Sequence, residues 1–164
     1  MSLLKVNSIQ NVSSIQNASG NVFAQPSTPV QTVVNRNTTA YSTASSSFSS
    51  LFTTSITIKT TNPIIMCYLY CKHRCDIGNG NWNLGYFRVL VGGTTVMSSG
   101  FNGSQSNWIH DFTAEKPFYA TGTPGTSFVF DFQTASYSGT HYFNNSAQSA
   151  DDGYAIMQLT ELAP

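Results

Sequence analysis

The sequence predicts an all-β fold: an antiparallel β-sandwich preceded by an extended N-terminal arm. Apolar and polar residues alternate over short segments, as in strands with one buried face. These segments recur at regular intervals and are separated by turns rich in Gly, Asn and Ser. No segment longer than a few residues has the 3.6-residue period of a helix. Together these features favour a sandwich of the jelly-roll type.

The first element is the arm, where one apolar residue is followed by two polar ones in successive triplets from Val6 to Ala18. A period of three fits neither a helix nor a half-buried strand. Such a segment buries too little apolar surface to offset its own ordering entropy. We therefore predict that residues 1–29 form a docking arm with a Pro-containing hinge, although a disordered tail explains the pattern equally well. The docking residues are the apolar triplet positions Val6, Ile9, Val12 and Ile15.

The body is predicted to span residues 30–164 and begins with a short strand at 30–34. A Ser- and Thr-rich stretch at 38–50 is expected to be a loop or an irregular edge, held down by Tyr41 and Phe48. Alternation is clear from Leu51 to Lys59, which indicates a half-buried strand.

Residues 64–71 form a nearly continuous apolar run, so the next strand is predicted to be central and covered on both faces. Gly92 and Gly93 join the following strands, 84–91 and 94–97, in a tight hairpin. The remaining strand candidates are 107–112, 127–133, 140–143 and 154–162.

Two of these late strands carry apolar residues on both faces. Such a strand has one face in the core and the other against a partner subunit, or it is fully internal, and the pattern does not separate these cases. The candidate subunit contacts are the aromatic and aliphatic residues Phe128, Phe130, Phe132, Tyr154 and Ile156.

Several stretches of the chain resemble tailed-bacteriophage virion proteins with a small tumour-necrosis-factor-like jelly roll. The similar stretches are 3–10, 54–66, 86–96, 141–151 and 155–164. The resemblance implies a homotrimeric jelly roll located in the virion, used as capsid decoration or in fibres. The segment from Cys67 to Cys75 departs from that pattern.

Charged residues make up only 9% of the chain, seven of each sign, whereas 63 residues are Ser, Thr, Asn or Gln. A neutral chain has no long-range field to attract a polyanion, so nucleic acid is not expected as a partner. Low net charge also allows like subunits to approach one another. No apolar run is long enough for a signal peptide or a membrane span, and no membrane partner is expected.

The cluster Cys67, Cys71 and Cys75 is the only one that resembles a ligand set. In an extended strand, residues four apart lie about 13 Å apart, too far for one tetrahedral ion without a bend. We therefore predict thiols rather than a metal site, with Cys75 the most exposed, and no cofactor. The adjoining basic run at 72–74 is interpreted as a solvated loop, or as a contact for an acidic partner.

No catalytic motif is present, neither G-x-S-x-G nor H-E-x-x-H, so no enzymatic activity is expected. Trp82 and Trp108 stand beside Asn residues in loop-like surroundings, which suits either a glycan platform or a cap on the core.

Together with the resemblance to phage virion proteins, these observations predict a capsid decoration or cement protein of a phage, which stabilises the head by binding between capsid subunits through its arm. Its partners would be its own copies and the major capsid protein or another virion protein. The alternative is a receptor- or glycan-binding module of a tail fibre or head fibre.

Overall fold

The computed structural model describes residues 28–76, 83–103, 109–144 and 153–163, which form ten β-strands and no helix. No membrane-spanning helix occurs in this part of the chain. In order, the strands are β1 (Pro29–Asn37), β2 (Tyr41–Thr43), β3 (Ser49–Thr57), β4 (Ile64–Asp76), β5 (Asn83–Val91), β6 (Thr94–Gly103), β7 (Ile109–Tyr119), β8 (Ser127–Ser136), β9 (Thr140–Phe143) and β10 (Ala155–Leu162).

The strands form two antiparallel sheets that pack face to face, which confirms the predicted sandwich of jelly-roll type. The first sheet has the order β1-β10-β4 and continues through β7 on the far edge of β4. The short strands β9 and β2 extend this sheet beyond the end of β10. The second sheet has the order β3-β8-β5-β6. Apart from the consecutive strands β5 and β6, neighbouring strands are not consecutive in the sequence, so both sheets depend on long-range pairing.

Alternate residues of each central strand enter a single core between the sheets. From β4 and β10 these are Ile65, Leu69, Met157 and Leu159, all fully buried. Aromatic rings join the two sheets, since Phe112 of β7 stacks on Phe87 of β5 with ring centroids 4.8 Å apart.

Gly92 and Gly93 form the predicted hairpin between β5 and β6. Their φ angles of 57° and 84° lie in the left-handed region, which is energetically unfavourable for residues that have a Cβ atom. The two adjacent glycines therefore predicted the position of this turn correctly.

Several strands extend further than the local pattern predicted. Strand β4 continues to Asp76, so the basic run at 72–74 lies in a strand and not in a solvated loop. His73 and Arg74 are 3% and 9% exposed, and the His73 ring stacks on His141, with centroids 5.6 Å apart. Burial lowers the pKa of His141 despite its hydrogen bonds to the backbone of Ser138 and Leu84. This end of the sandwich is a packed aromatic cluster.

Strand β7 also exceeds the predicted segment, which ended at residue 112. Its continuation to Tyr119 includes Glu115, Lys116 and Pro117, which have low strand propensity. The strand forms because it pairs with the whole of β4 from Ile64 to Arg74. As an edge strand it can accommodate a proline.

A buried carboxylate, Glu161 of β10, joins the β3–β4 loop to the first sheet. Glu161 is 0% exposed and accepts hydrogen bonds from the backbone N–H groups of Lys59 and Thr60 at 2.9 and 2.8 Å. The Thr60 hydroxyl and the Gln31 amide also donate to it. Gln31 lies on β1, so one carboxylate connects two strands and a loop.

Candidate assembly surface

The outer face of the first sheet is apolar at its centre. Along the neighbouring strands β10 and β4, the side chains that point away from the core are partly exposed. The strand register places Ile156 beside Tyr70 and Leu162 beside Ile64. We call this centre and its flanking strands the assembly surface. Its apolar residues are Ile64, Met66, Tyr68, Tyr70, Ile156 and Leu162. Two polar side chains of β10 share this face, Gln158 beside Tyr68 and Thr160 beside Met66.

Polar side chains frame this centre on the two flanking strands. On β7, register places Thr113 beside Tyr70 and Glu115 beside Tyr68, and both are exposed. On β1, Thr32 and Arg36 are exposed together with the apolar Val34, and Arg36 lies beside Ile156. An apolar centre with a polar rim is the usual composition of a protein–protein interface.

Aromatic contacts fix the end of the assembly surface that includes Tyr70 and Tyr154. The rings of Tyr70 and Tyr154 lie 5.2 Å apart, and the Arg36 guanidinium lies 4.4 Å from the Tyr154 ring centroid. Burial, followed by the charge of Asp111 and the contact with Tyr154, raises the pKa of Tyr70 to about 12. The Tyr70 hydroxyl is therefore protonated at neutral pH, so this part of the centre carries no phenolate charge.

Two of the predicted subunit contacts lie on the assembly surface, namely Ile156 and Tyr154. The three phenylalanines of β8 face the other way. Phe130 and Phe132 are 0% exposed, and Phe128 packs against Phe118 of β7 with ring centroids 5.5 Å apart. The assignment of these phenylalanines to a subunit contact is therefore corrected: they lie in the chain's own core, because the Phe face of β8 is the one that meets the first sheet.

Conversely, sequence reasoning missed Met66, Tyr68 and Tyr70 as surface residues. The run 64–71 was interpreted as a strand covered on both faces. Strand β4 is indeed central, with β10 and β7 on its two edges. Within the described chain, however, only the face formed by its odd-numbered residues is covered. A continuous apolar run gives no local signal that distinguishes a core face from an exposed one.

The arm residues Val6, Ile9, Val12 and Ile15 lie outside the described part of the chain. The arm joins the body at Thr28, whose carbonyl accepts a hydrogen bond from the Ala163 N–H at 3.1 Å. This point lies at the end of β1, on the edge of the first sheet. Residue 28 therefore lies on the edge of the sheet that carries the assembly surface.

The predicted glycan residues Trp82 and Trp108 also lie outside the described residues. Cys67 and Cys71 are on the core side of β4, fully buried, and neither forms a disulfide. Cys75 belongs to β4 by its backbone, but its side chain is not described. In the described ranges, no three or more His, Cys, Asp or Glu side chains are grouped to hold a metal ion.

Cys67 and Cys71 are expected to resist a thiol reagent in the native protein. Burial raises the pKa of Cys67 to about 12 and that of Cys71 still further above its usual range, and thiols react as thiolates. Mass spectrometry after treatment with a disulfide reagent at pH 8 should find both sites unmodified in buffer and modified in denaturant. Rapid native labelling of either residue would contradict the buried placement.

No protein-family model matches this sequence, and no curated protein matches it. Among solved structures, the chain is similar to the C-terminal domain of EclA, a sugar-binding protein, with a TM-score of 0.37 and 12% identity over 86% of this chain and 97% of that chain. It is also similar to a mutant VP2 protein of infectious bursal disease virus in derived T=1 particles, with a TM-score of 0.44 and 14% identity over 93% of this chain and 45% of that chain.

A second viral match is the structure of the Gx strain of the same virus, with a TM-score of 0.39 and 14% identity over 93% of this chain and 47% of that chain. The chain therefore spans less than half the length of these viral chains. The similarities concern the fold, and no function is inferred from them.

Proposed function

We propose that this protein is a non-enzymatic structural component of a virus particle. In this proposal the body trimerises through the assembly surface, and residues 1–29 attach the trimer to another virion protein. The role that best suits this arrangement is that of a decoration or cement protein on a phage capsid. Its action is the burial of apolar surface between neighbouring subunits.

The observation that carries the proposal is the assembly surface itself. Six apolar or aromatic side chains stand on one sheet face, accompanied there by Gln158 and Thr160 of β10 and bordered by polar residues on the flanking strands. A monomer gains nothing from leaving this face in water, whereas a second copy would cover it. A chain with equal numbers of positive and negative residues also has little self-repulsion to overcome.

The position of the arm supports the second half of the proposal. It leaves the body at the Thr28–Ala163 contact, on the edge of the sheet that carries the assembly surface. Its apolar triplets can then reach a neighbouring capsid subunit while the body remains on its own trimer. One arm per subunit gives a trimer three attachments, so moderate individual affinities add to firm binding.

Removal of residues 1–27 is expected to leave a folded trimer that no longer binds capsids. The described strands begin at Pro29, so the deletion removes no strand of either sheet. Binding is measured by cosedimentation with phage capsids that lack this protein, and folding by circular dichroism. A sharper version replaces Val6, Ile9, Val12 and Ile15 by Ser, with a control that replaces the polar residues Asn7, Gln10, Ser13 and Gln16 by Ala.

The apolar replacements should abolish binding, and the control should retain it. Undiminished capsid binding by the truncated chain would refute the role of the arm. Loss of folding on truncation would refute the division into arm and body. A truncated chain that is monomeric from the start would refute trimerisation through the body.

A further inference from the structure

A depression of about 390 Å³ lies on the outer side of the second sheet, over strands β5 and β6. Phe87 and Val89 of β5 point into the core, so the intervening Arg88 and the preceding Tyr86 point outward. The depression is lined by Phe48, Tyr86, Phe87, Arg88, Thr95, Ser98, Ser99 and Gly100. It is on the opposite side of the sandwich from the assembly surface.

Arg88 is held in one orientation at the edge of this depression. Its Nε donates a hydrogen bond of 2.8 Å to Gln133 Oε1, and its guanidinium carbon lies 4.2 Å from the Phe48 ring centroid. Gln133 is in turn fixed by a 2.6 Å hydrogen bond from its amide to Asp131 Oδ2. The other carboxylate oxygen of Asp131 accepts from the Ser50 hydroxyl. The guanidinium is therefore oriented before any ligand arrives, which lowers the entropy cost of binding.

The charge of Arg88 is not neutralised by a direct contact within the described chain. No carboxylate of the described residues forms an ion pair with it, and the Nε–Gln133 bond is its one hydrogen bond there. Asp131 reaches Arg88 only through the neutral Gln133 amide. The two terminal nitrogens of Arg88 thus keep their donors available, and a planar guanidinium fits the two oxygens of a carboxylate or the oxygens of a sulfate.

An open aromatic ring lies next to this charge. Tyr86 is 39% exposed, and the residue across from it on β6 is Gly100. A Cβ atom at position 100 would lie 3.5 Å from a Tyr86 ring carbon, so glycine leaves this side of the ring uncovered. Thr95, Ser98 and Ser99 complete the lining, and the Ser99 hydroxyl donates to the Gly100 carbonyl at 3.2 Å.

We infer that this depression binds an anionic saccharide unit. Arg88 would take the carboxylate or sulfate group, the Tyr86 ring would pack on the C–H face of the sugar, and the serine and threonine hydroxyls would bond its hydroxyl groups. The volume of this open depression falls in the range of small-ligand sites, and it combines aromatic side chains with a few oriented polar groups. The inference does not depend on trimerisation or on the arm, because none of these residues belongs to either.

The test measures binding of the full chain to oligosaccharides of equal length by isothermal titration calorimetry. The probes are an oligomer of glucuronate, a sulfated oligomer of glucose and the unmodified oligomer of glucose. We expect one of the anionic probes to bind at least about tenfold more tightly than the neutral one, since a charged bidentate pair is lost in the neutral probe. The two anionic probes show whether carboxylate or sulfate is preferred.

Arg88→Gln is expected to abolish this preference, and Tyr86→Ala to weaken binding of all three probes. Lys116→Gln is the matched control, because it removes one exposed positive charge from the first sheet. Circular dichroism and sedimentation show that each variant is folded and assembled as before. Absence of binding to every probe, equal binding of neutral and anionic probes, or an unchanged Arg88→Gln profile would overturn the inference. Equal binding of an acidic peptide would also overturn it, in favour of a peptide site.

Discussion

Replacing Ile156 by Asp is expected to convert the proposed trimer into a folded monomer. Ile156 stands at the apolar centre of the assembly surface, next to Tyr70 on β4. A carboxylate there would have to lose its water when a second copy covers the sheet, which costs several kcal/mol. The neighbouring Arg36 would offset only part of this cost, because it would be desolvated as well. Central positions of this kind carry most of the binding energy of an interface, so we expect the dissociation constant to rise on the order of 100-fold or more.

The isolated chain should tolerate this change. Ile156 is partly exposed and lies beside Arg36 of β1, which would face the new carboxylate. Analytical ultracentrifugation gives the mass, and circular dichroism gives the fold. Val129→Asp is the control, because Val129 is an exposed apolar residue, 49% accessible, on the outer face of the other sheet. If both variants remain trimers, or if the parent protein is itself a monomer, the assembly surface has been misassigned.

Glu161→Gln is expected to lower the free energy of unfolding at pH 7 by about 2–4 kcal/mol. The carboxylate accepts hydrogen bonds from two backbone N–H groups, a hydroxyl and an amide. A glutamine side chain keeps one acceptor oxygen. Its NH2 group is a donor, and it would face the donors that bind the second carboxylate oxygen in the parent protein. At least one partly buried N–H group of the β3–β4 loop then loses its partner. The measurement is urea unfolding at one protein concentration, because assembly also contributes to stability.

Glu161 should also account for part of the stability that the protein loses at acidic pH. Burial alone would raise the pKa of Glu161, but the hydrogen bonds from Thr60, Gln31 and Lys59 outweigh it and hold the pKa below its usual value of 4.5. A depressed pKa in the folded state means that the contribution is complete above the unfolded value of 4.5 and is lost as the pH falls through the folded value. The parent protein should lose stability on acidification below that point, and Glu161→Gln should show a flatter acid limb.

Glu115→Gln provides the comparison for Glu161. Glu115 is exposed on the edge strand β7, so its replacement should change stability by no more than about 0.5 kcal/mol. Equal unfolding curves for the Glu161 variant and the parent at pH 7, or identical acid limbs, would show that the buried carboxylate does not hold the loop.

The sandwich itself could be predicted from local patterns. Alternation at Phe52, Ile56 and Ile58 placed β3 correctly, and these residues are all in the core. The Gly-Gly turn and strand β9 were also found within a residue or two. Such signals are local, because each depends on a few neighbouring residues and on the twofold period of a strand.

The extension of β7 and the short strand β2 could not be predicted in the same way. β7 exists because β4 offers it eleven partners in register, and β2 because β9 lies beside it. Pairing of this kind overrides weak propensity. The Glu161 contacts and the Arg88–Gln133–Asp131 chain likewise join residues that lie far apart in the sequence.

From residue order alone, the chain could be recognised as an all-β, charge-poor protein whose late strands are apolar on both sides. Which of those sides is the core was settled by the packing of one sheet on the other. The Phe face of β8 turned inward, whereas the Ile156 face of β10 and the tyrosine face of β4 turned outward. The physical reason is that alternation defines two faces of a strand but does not show which of them is buried. The buried face is the one on which the other sheet packs.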